Sequence, residues 1–268
     1  MAAVRIGVVG CAGRMGRALI AEISANRNAE VSGGTEQHDS PAVGKRLRHP
    51  TTGEELNVIV EADPNGLFET SDVVIDFTCP TATLLHADIA TRTGTALVVG
   101  TTGFTAEQTA ELDQAARKIP VVQAANFSLG VNLLLHLAED VARRLNEDFD
   151  IEVLEMHHRH KVDAPSGTAL ALGQAAAKGR GVDLDAVSDR VRDGITGERK
   201  RGNIGFATLR GGNVVGEHSV IYAADNERIE LSHKAGDRAI FARGAVAAAL
   251  WVHGKDAGYY GMNDVLGF

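Results

Sequence analysis

The sequence predicts an α/β protein: a doubly wound parallel sheet, discontinuous in sequence, with a second α+β domain set between its two parts. Three observations predict it. Short apolar runs alternate with helical stretches from Val4 to Ala124, the βαβ pattern of a parallel sheet. The period changes to two between Ile204 and Ser232, as in half-exposed, mostly antiparallel strands. An apolar helical stretch, Arg238–His253, then follows and is expected to pack back on the first domain. The domains expected are residues 1–126 plus 237–268, and residues 127–236.

Composition narrows the function classes before any motif is considered. A chain of 268 residues suits one large domain or two ordinary ones, and 44% hydrophobic residues can build a sizeable core. The formal net charge of -8 disfavours nucleic acid or an anionic membrane as a partner. No apolar run approaches the roughly 18 residues needed to span a bilayer. Met1–Gly10 runs straight into a strand without a signal-peptide layout. The two cysteines, Cys11 and Cys79, form no disulfide framework, and a cytoplasmic location is expected.

In chain order, Val4–Val9 (V-R-I-G-V-V) is a strand that enters Gly10-Cys11-Ala12-Gly13-Arg14-Met15-Gly16 and then a helix over Arg17–Asn26. Strand, glycine turn and helix is the layout of a Rossmann-like dinucleotide site. Its glycines allow a tight turn, close approach of pyrophosphate to backbone, and close packing of helix on strand. The spacing G-x-x-G-x-x-G is one residue longer than the common form. A second strand, Ala29–Thr35, ends at Glu36, 20 positions after Gly16, where an acidic residue meets the adenine ribose. His38–Thr52 carries Pro41, Gly44 and Pro50 and is expected to be a mobile loop. Val58–Val60 and Asp72–Phe77 are strands, the latter apolar enough for a buried parallel position. A helix over Thr81–Thr91, a strand over Ala96–Val99 and the turn Gly100-Thr101-Thr102-Gly103 follow. That turn lies at a strand's carboxyl end and should face the nicotinamide and substrate. A helix opens near Thr105. Val121–Ala124 is the last strand of the series and leads to Asn126-Phe127-Ser128.

Leu129–Leu145 has a long helical pattern, and Phe149–Leu154 alternates apolar and acidic residues as a half-buried strand does. Between that strand and a helix over Leu170–Lys178 lies E-M-H-H-R-H-K-V-D-A-P-S-G-T-A, Glu155–Ala169. Ser166 is the expected N-cap, and Gly167 lets a ligand approach amides that have no intrahelical partner. Such a helix start attracts anions. His157, His158 and Lys161 supply protons and positive charge, and the Ser166, Gly167 and Thr168 amides supply the cradle. The pocket expected is one for a small, acidic, proton-demanding substrate. Three histidines also raise a metal site. On an extended strand, however, His158 and His160 face away from His157, Lys161 would repel a cation, and no cysteine is near, so no metal is expected. Gly179–Lys200 is polar and glycine-dotted, a loop. Gly205–Leu209, Val214–Tyr222 and Arg228–Ser232 are expected as antiparallel strands joined by Gly211-Gly212-Asn213 and Asp225-Asn226.

Taken together these segments resemble the 4-hydroxy-tetrahydrodipicolinate reductase (dihydrodipicolinate reductase) family from end to end. The likeness rests on G-C-A-G-R-M-G, on D-F-T-x-P at Asp76–Pro80, on G-T-T-G-F at Gly100–Phe104 and on A-A-N-F-S at Ala124–Ser128. It rests above all on E-M-H-H-x-x-K-x-D-A-P-S-G-T-A, and also on Arg210-Gly211-Gly212 and Gly216-Glu217-His218. The resemblance implies reduction of a cyclic dicarboxylate with NADH or NADPH and loss of water, giving tetrahydrodipicolinate on the diaminopimelate route to lysine. It implies His157 as proton donor or acceptor, Lys161 as proton donor, His158 against the substrate, and Gly167 and Thr168 on a carboxylate. Cofactor contacts would fall on Gly10, Cys11, Ala12, Gly13, Arg14, Met15 and Glu36, on Gly100, Thr101 and Thr102, and on Ala124, Ala125, Asn126 and Phe127. It further implies a homotetramer built on the smaller domain's sheet. One departure stands out. Members that accept NADPH readily tend to carry arginine after the ribose-binding acid, and here that place is Gln37. NADH is therefore expected to serve at least as well as NADPH. The rivals are a semialdehyde dehydrogenase, which would need a nucleophilic cysteine in the second domain, and a nicotinamide-sensing protein, which would need no acid–base pair.

Overall fold

The computed structural model describes residues 2–268, and the chain divides into two compact units. The first ends at Leu129 and resumes from Ala239 to Phe268, and the second is Gly130–Arg238.

The first unit begins β1 (Val4–Val9), α1 (Arg14–Ser24), β2 (Ala29–Thr35), β3 (Arg46–Arg48), β4 (Glu55–Glu61), α2 (Asn65–Thr70), β5 (Val73–Asp76) and α3 (Pro80–Thr93). It continues with β6 (Ala96–Val99), α4 (Ala106–Ala116) and β7 (Pro120–Gln123). The second unit holds nearly all of α5 (Leu129–Arg144), then β8 (Asp150–His157), α6 (Gly167–Arg180), α7 (Leu184–Val187), β9 (Ser188–Asp189), β10 (Ile204–Arg210), β11 (Gly216–Ala223) and β12 (Arg228–Ala235). The chain returns to the first unit through α8 (Ala239–Val252), β13 (Gly258–Tyr260) and α9 (Met262–Leu266).

Strands of the first sheet run in the order β13-β7-β6-β5-β1-β2-β4-β3. All pairs are parallel except β3 with β4. The winding reverses between β1 and β5, the switch point beyond whose carboxyl ends such sheets hold ligands. Every residue of β5 and β6 is buried, as it must be where helices cover both faces. One apolar layer joins β1 and β5 to α1 and α8, and the opposite layer joins the sheet to α3 and α4. Local signals fix several helix ends. Thr105 and Gln108 form a capping box on α4, Pro80 opens α3, and Gly94 closes α3 in the left-handed region.

Two expectations are corrected here. The segment His38–Thr52 is not wholly a loop, because Arg46–Arg48 pairs with β4. Val121–Ala124 is not the end of the series, because β13 adds beside β7.

The second sheet has the order β12-β11-β8-β10-β9 and is mixed: β11 is antiparallel to β8 and β12, while β10 is parallel to β8 and β9. The hairpin expected across Gly211-Gly212-Asn213 is absent. The chain leaves β10 on one side of β8 and re-enters as β11 on the other. Alternation along these strands is the same for a hairpin and for a crossover, which is why periodicity alone could not separate them. Within Gly179–Lys200, expected as loop, α7 and β9 form short ordered pieces. Helix α6 and the buried Ile151, Val153, Val220 and Tyr222 make the core of this unit. The Tyr222 hydroxyl is satisfied by the Ala138 carbonyl at 2.6 Å.

Candidate active site

The glycine turn of the first unit is built for a close backbone approach. Gly10 has φ +66, and a Cβ on Gly16 would lie 2.2 Å from the Gly10 carbonyl oxygen, so α1 can start only with glycine there. The turn's own amides are partly used. Cys11 N–H donates to the Thr35 carbonyl (3.1 Å) and Gly13 N–H to that of Gly10 (3.1 Å). Ala12 N–H donates to Glu36 Oε1 at 2.8 Å, and Gln37 N–H to Glu36 Oε2 at 3.3 Å. Helix α1 begins at Arg14 with no side-chain cap on Gly13, so the amides of Arg14 and Met15 open the helix as an anion-binding end. The Cys11 thiol is buried and pushed up to about 12 by that burial and by Glu36. It packs against Gly34, where an added Cβ would lie 2.8 Å from Sγ. A cavity of about 470 Å³ adjoins Cys11 and Ala12, with Arg17, Lys45, Arg46 and Arg48 in its walls. Arg46 is bonded to Asn57 and Arg48 to Glu55. These features fit the diphosphate and ribose of a dinucleotide.

At the carboxyl ends of β5 and β6 a buried polar network fixes the second turn. Asp76 is fully buried. Its Oδ1 accepts from Thr78 N–H (2.8 Å), Thr78 Oγ1 (2.6 Å) and Thr101 Oγ1 (3.3 Å), and its Oδ2 meets His86 Nδ1 at 2.7 Å. The Thr101 hydroxyl is thus committed to the interior, and any contact it makes with a ligand falls to its backbone. Gly100 has no room for a side chain, since a Cβ would sit 2.1 Å from the Phe77 ring. Phe127 is likewise buried, its ring 5.6 Å from that of Phe77. Thr102 and Ala125 are exposed, and Ala124 and Asn126 are half-buried.

In the second unit, β8 and the start of α6 bring the conspicuous motif together. Alternation on β8 turns Ile151, Val153, Glu155 and His157 to one face, all buried. Glu155 gathers the site. His157 Nδ1 lies 2.6 Å from its Oε2, Ser166 N–H donates to its Oε1 at 3.0 Å, and the Arg210 guanidinium grips both oxygens at 2.7 and 2.9 Å. Burial alone would push the Glu155 carboxyl up, but Arg210, His157 and the Ser166 amide outweigh it and hold the group below the usual range. Ser166 is the N-cap of α6, its Oγ accepting from Ala169 N–H at 3.2 Å. That oxygen also meets His218 Nε2 at 3.1 Å. The His218 ring stands edge-on to His157 at 5.0 Å. Burial, then the charges of His157, His233 and Lys161, drive His218 down to about 4, so it is neutral near pH 7.

Lys161 pairs with Asp163 at 2.7 Å, and the Asp163 carbonyl accepts from Arg210 at 2.6 Å. The ammonium holds the Asp163 carboxyl below the usual range. Beside them, His158 is pushed down by its burial and by Arg238, His160, His157 and Lys161. Strand β8 ends at His157, so His158 and His160 lie in the following turn and not on a strand face as expected. The Nδ1 atoms of His158 and His218 are buried without a hydrogen-bond partner among the described residues. Open space lies over Gly167, which is exposed. The predicted residues His157 and Ser166 thus meet through Glu155, and Lys161 joins them through Asp163 and Arg210. Sequence reasoning assigned no role to Glu155, Asp76 or His86. For Glu155 the signal was present, since residues two apart on a strand share a face. No group of three or more His, Cys, Asp or Glu among the described residues is arranged to hold a metal.

The likeness to known proteins spans the chain. Residues 4–127 match the family description "Dihydrodipicolinate reductase, N-terminus", and residues 130–266 match "Dihydrodipicolinate reductase, C-terminus". A 4-hydroxy-tetrahydrodipicolinate reductase of Ruegeria pomeroyi is 54% identical over 260 residues, 97% of this chain and 97% of its own length. One from Methylocella silvestris is 52% identical over 267 residues, 100% of this chain and 98% of its own. Among solved structures, a dipicolinate-bound dihydrodipicolinate reductase from Paenisporosarcina sp. TG-14 superposes with a TM-score of 0.79 at 25% identity, covering 98% of this chain and 99% of that one.

Proposed function

The chain belongs to the dihydrodipicolinate reductase family, and from that premise we infer that it reduces 4-hydroxy-tetrahydrodipicolinate to tetrahydrodipicolinate with a nicotinamide cofactor. The reaction releases water and serves lysine biosynthesis through diaminopimelate. The observation that carries the residue assignment is the joining of His157, Ser166 and Arg210 on one buried carboxylate. When bound, the cofactor supplies the hydride, and everything else falls to side chains and amides. The first unit binds the dinucleotide through its glycine turn, Glu36 and the turn after Gly100. The second unit binds the dicarboxylate.

The start of α6 at Gly167 and Thr168 receives one carboxylate, as the open space over Gly167 supports. His158 lies against the substrate. Lys161 neutralises the dianion and delivers a proton, exchanging its partner Asp163 for the substrate as it does so. His157 gives or takes a proton through Nε2, the nitrogen not engaged by Glu155. The dipicolinate held by the solved relative is a planar dicarboxylate of this kind.

A spectrophotometric assay of cofactor oxidation, with the upstream synthase forming the unstable substrate in situ, tests the reading. Oxidation that depends on the synthase supports it. Its absence with both cofactors refutes it. The same assay decides cofactor choice. Glu36 repels a 2′-phosphate and Gln37 brings no compensating charge. Arg46, a candidate to offset that repulsion with Arg14 and Lys45, is bonded to Asn57, and Arg48 to Glu55, so that Arg14, Arg17 and Lys45 are the countervailing cations. NADH is expected to give a kcat/KM at least equal to that with NADPH. The reading extends to a cytoplasmic homotetramer, supported by two free cysteines and by an open face on the second sheet. That face carries Leu154, Met156, Ser219 and Ile221, all half-buried, and Leu209, which is 47% exposed.

A further inference from the structure

Glu155 is 1% exposed and lies beneath the proton-transfer histidine. Its two oxygens accept from Arg210 twice and from the Ser166 amide once, at 2.7–3.0 Å. A carboxylate so surrounded by donors is itself an acceptor. The ring nitrogen 2.6 Å away, His157 Nδ1, must then be the donor. The neutral imidazole is therefore the Nδ1–H tautomer, and Nε2 is its bare nitrogen. That nitrogen lies over Gly216, where a Cβ would come within 3.0 Å of it, so the lack of a side chain at 216 keeps it clear.

We propose that Glu155, locked by Arg210, is the positioning residue of the reaction: it fixes the tautomer and tilt of His157 so that Nε2 alone exchanges protons with substrate. The inference rests on the reductase reading above and adds to it a residue that touches no substrate. The same carboxylate takes the Ser166 N–H, which is thereby withdrawn from the expected anion cradle and leaves it to Gly167 and Thr168, so one group sets both the imidazole and the start of α6. Charged and titratable groups face His157 from every element around it. They are Arg210 on β10, His218 on β11, Lys161, His158 and Asp163 in the connecting turn, and Glu155 on its own strand. Glu155 is the one anion among them bonded to the ring. Removing its charge takes away the anion bonded to the ring and leaves Arg210 and Lys161 nearby, which disfavours the protonated form.

Two measurements test this. Histidine labelled with ¹⁵N in the unmodified protein, with His157 assigned by its loss in His157→Gln, reports the tautomer without any turnover. A neutral ring protonated on Nδ1 supports the proposal, and one protonated on Nε2 overturns it whether or not the enzyme reduces the expected substrate. The second measurement is the pH profile of kcat for Glu155→Gln. As a proton donor His157 works in its protonated form, so rate is lost as pH rises. The loss should begin at lower pH in the variant than in the parent, with KM little changed. A profile that superimposes on the parent, or a uniform loss at every pH, refutes the role. Should Glu155→Gln fail to fold, Arg210→Lys keeps a cation but loses the two-pronged grip and is read by the same profile and the same ¹⁵N signals. A tautomer and profile both equal to the parent's would then count against the lock.

Discussion

At the smallest scale, the proposed function gives the proton chemistry to His157 and Lys161. His157→Gln or Lys161→Ala should lower turnover by roughly 10²–10⁴-fold, with the circular dichroism spectrum and melting temperature near those of the parent. Turnover retained within a factor of two would remove the residue from its role. His218 yields a separate prediction for stability. Its folded-state value of about 4 lies below the ordinary 6.5, so between those pH values the unfolded chain binds a proton that the folded chain refuses. Its contribution to stability is therefore complete above pH 6.5 and is lost as pH falls toward 4. Melting temperature of the parent should drop more steeply across that window than that of His218→Asn, and parallel curves would contradict it. Glu155 was legible as a partner for His157 from spacing alone. Arg210 was not, because the pair is 55 residues apart in sequence and meets only when β10 lies beside β8.

Among elements, α8 shows how the returning segment completes the first unit. It packs over β5, β6 and β7 and along α1, and it sits so close to the turn after β7 that a Cβ on Gly244 would lie 1.6 Å from the Phe127 carbonyl oxygen. A methyl group there must move helix or turn, and overpacking of this kind costs about 1–3 kcal/mol. Gly244→Ala should accordingly lower the melting temperature by several degrees and weaken NADH binding, read by fluorescence titration, because the displaced segment includes Asn126 and Phe127. An unchanged affinity would separate the turn from the cofactor. Long apolar strands and capped helices could be placed from sequence to within a few residues. The pieces that escaped, β3, α2, α7, β9, β13 and α9, are too short for any period to register, and their order comes from edge pairing or packing rather than from local pattern.

On the scale of the whole molecule, the two matched family regions, 4–127 and 130–266, are the parts to which the proposed function gives the dinucleotide and the dicarboxylate. Association is expected to use the uncovered side of the second sheet, where Leu154, Met156 and Ile221 lie among Glu152 and Glu217. Light scattering coupled to size exclusion should find four chains for the parent and fewer for Ile221→Glu. A monomeric parent would dismiss the expectation. Strand β8 would serve both purposes, because Glu155 and His157 point to one side while Leu154 and Met156 point to the other. The proposed proton donor and the proposed contact surface are thus back to back across a single thickness of backbone. A substitution that shifts this strand would therefore be felt on both of its sides at once.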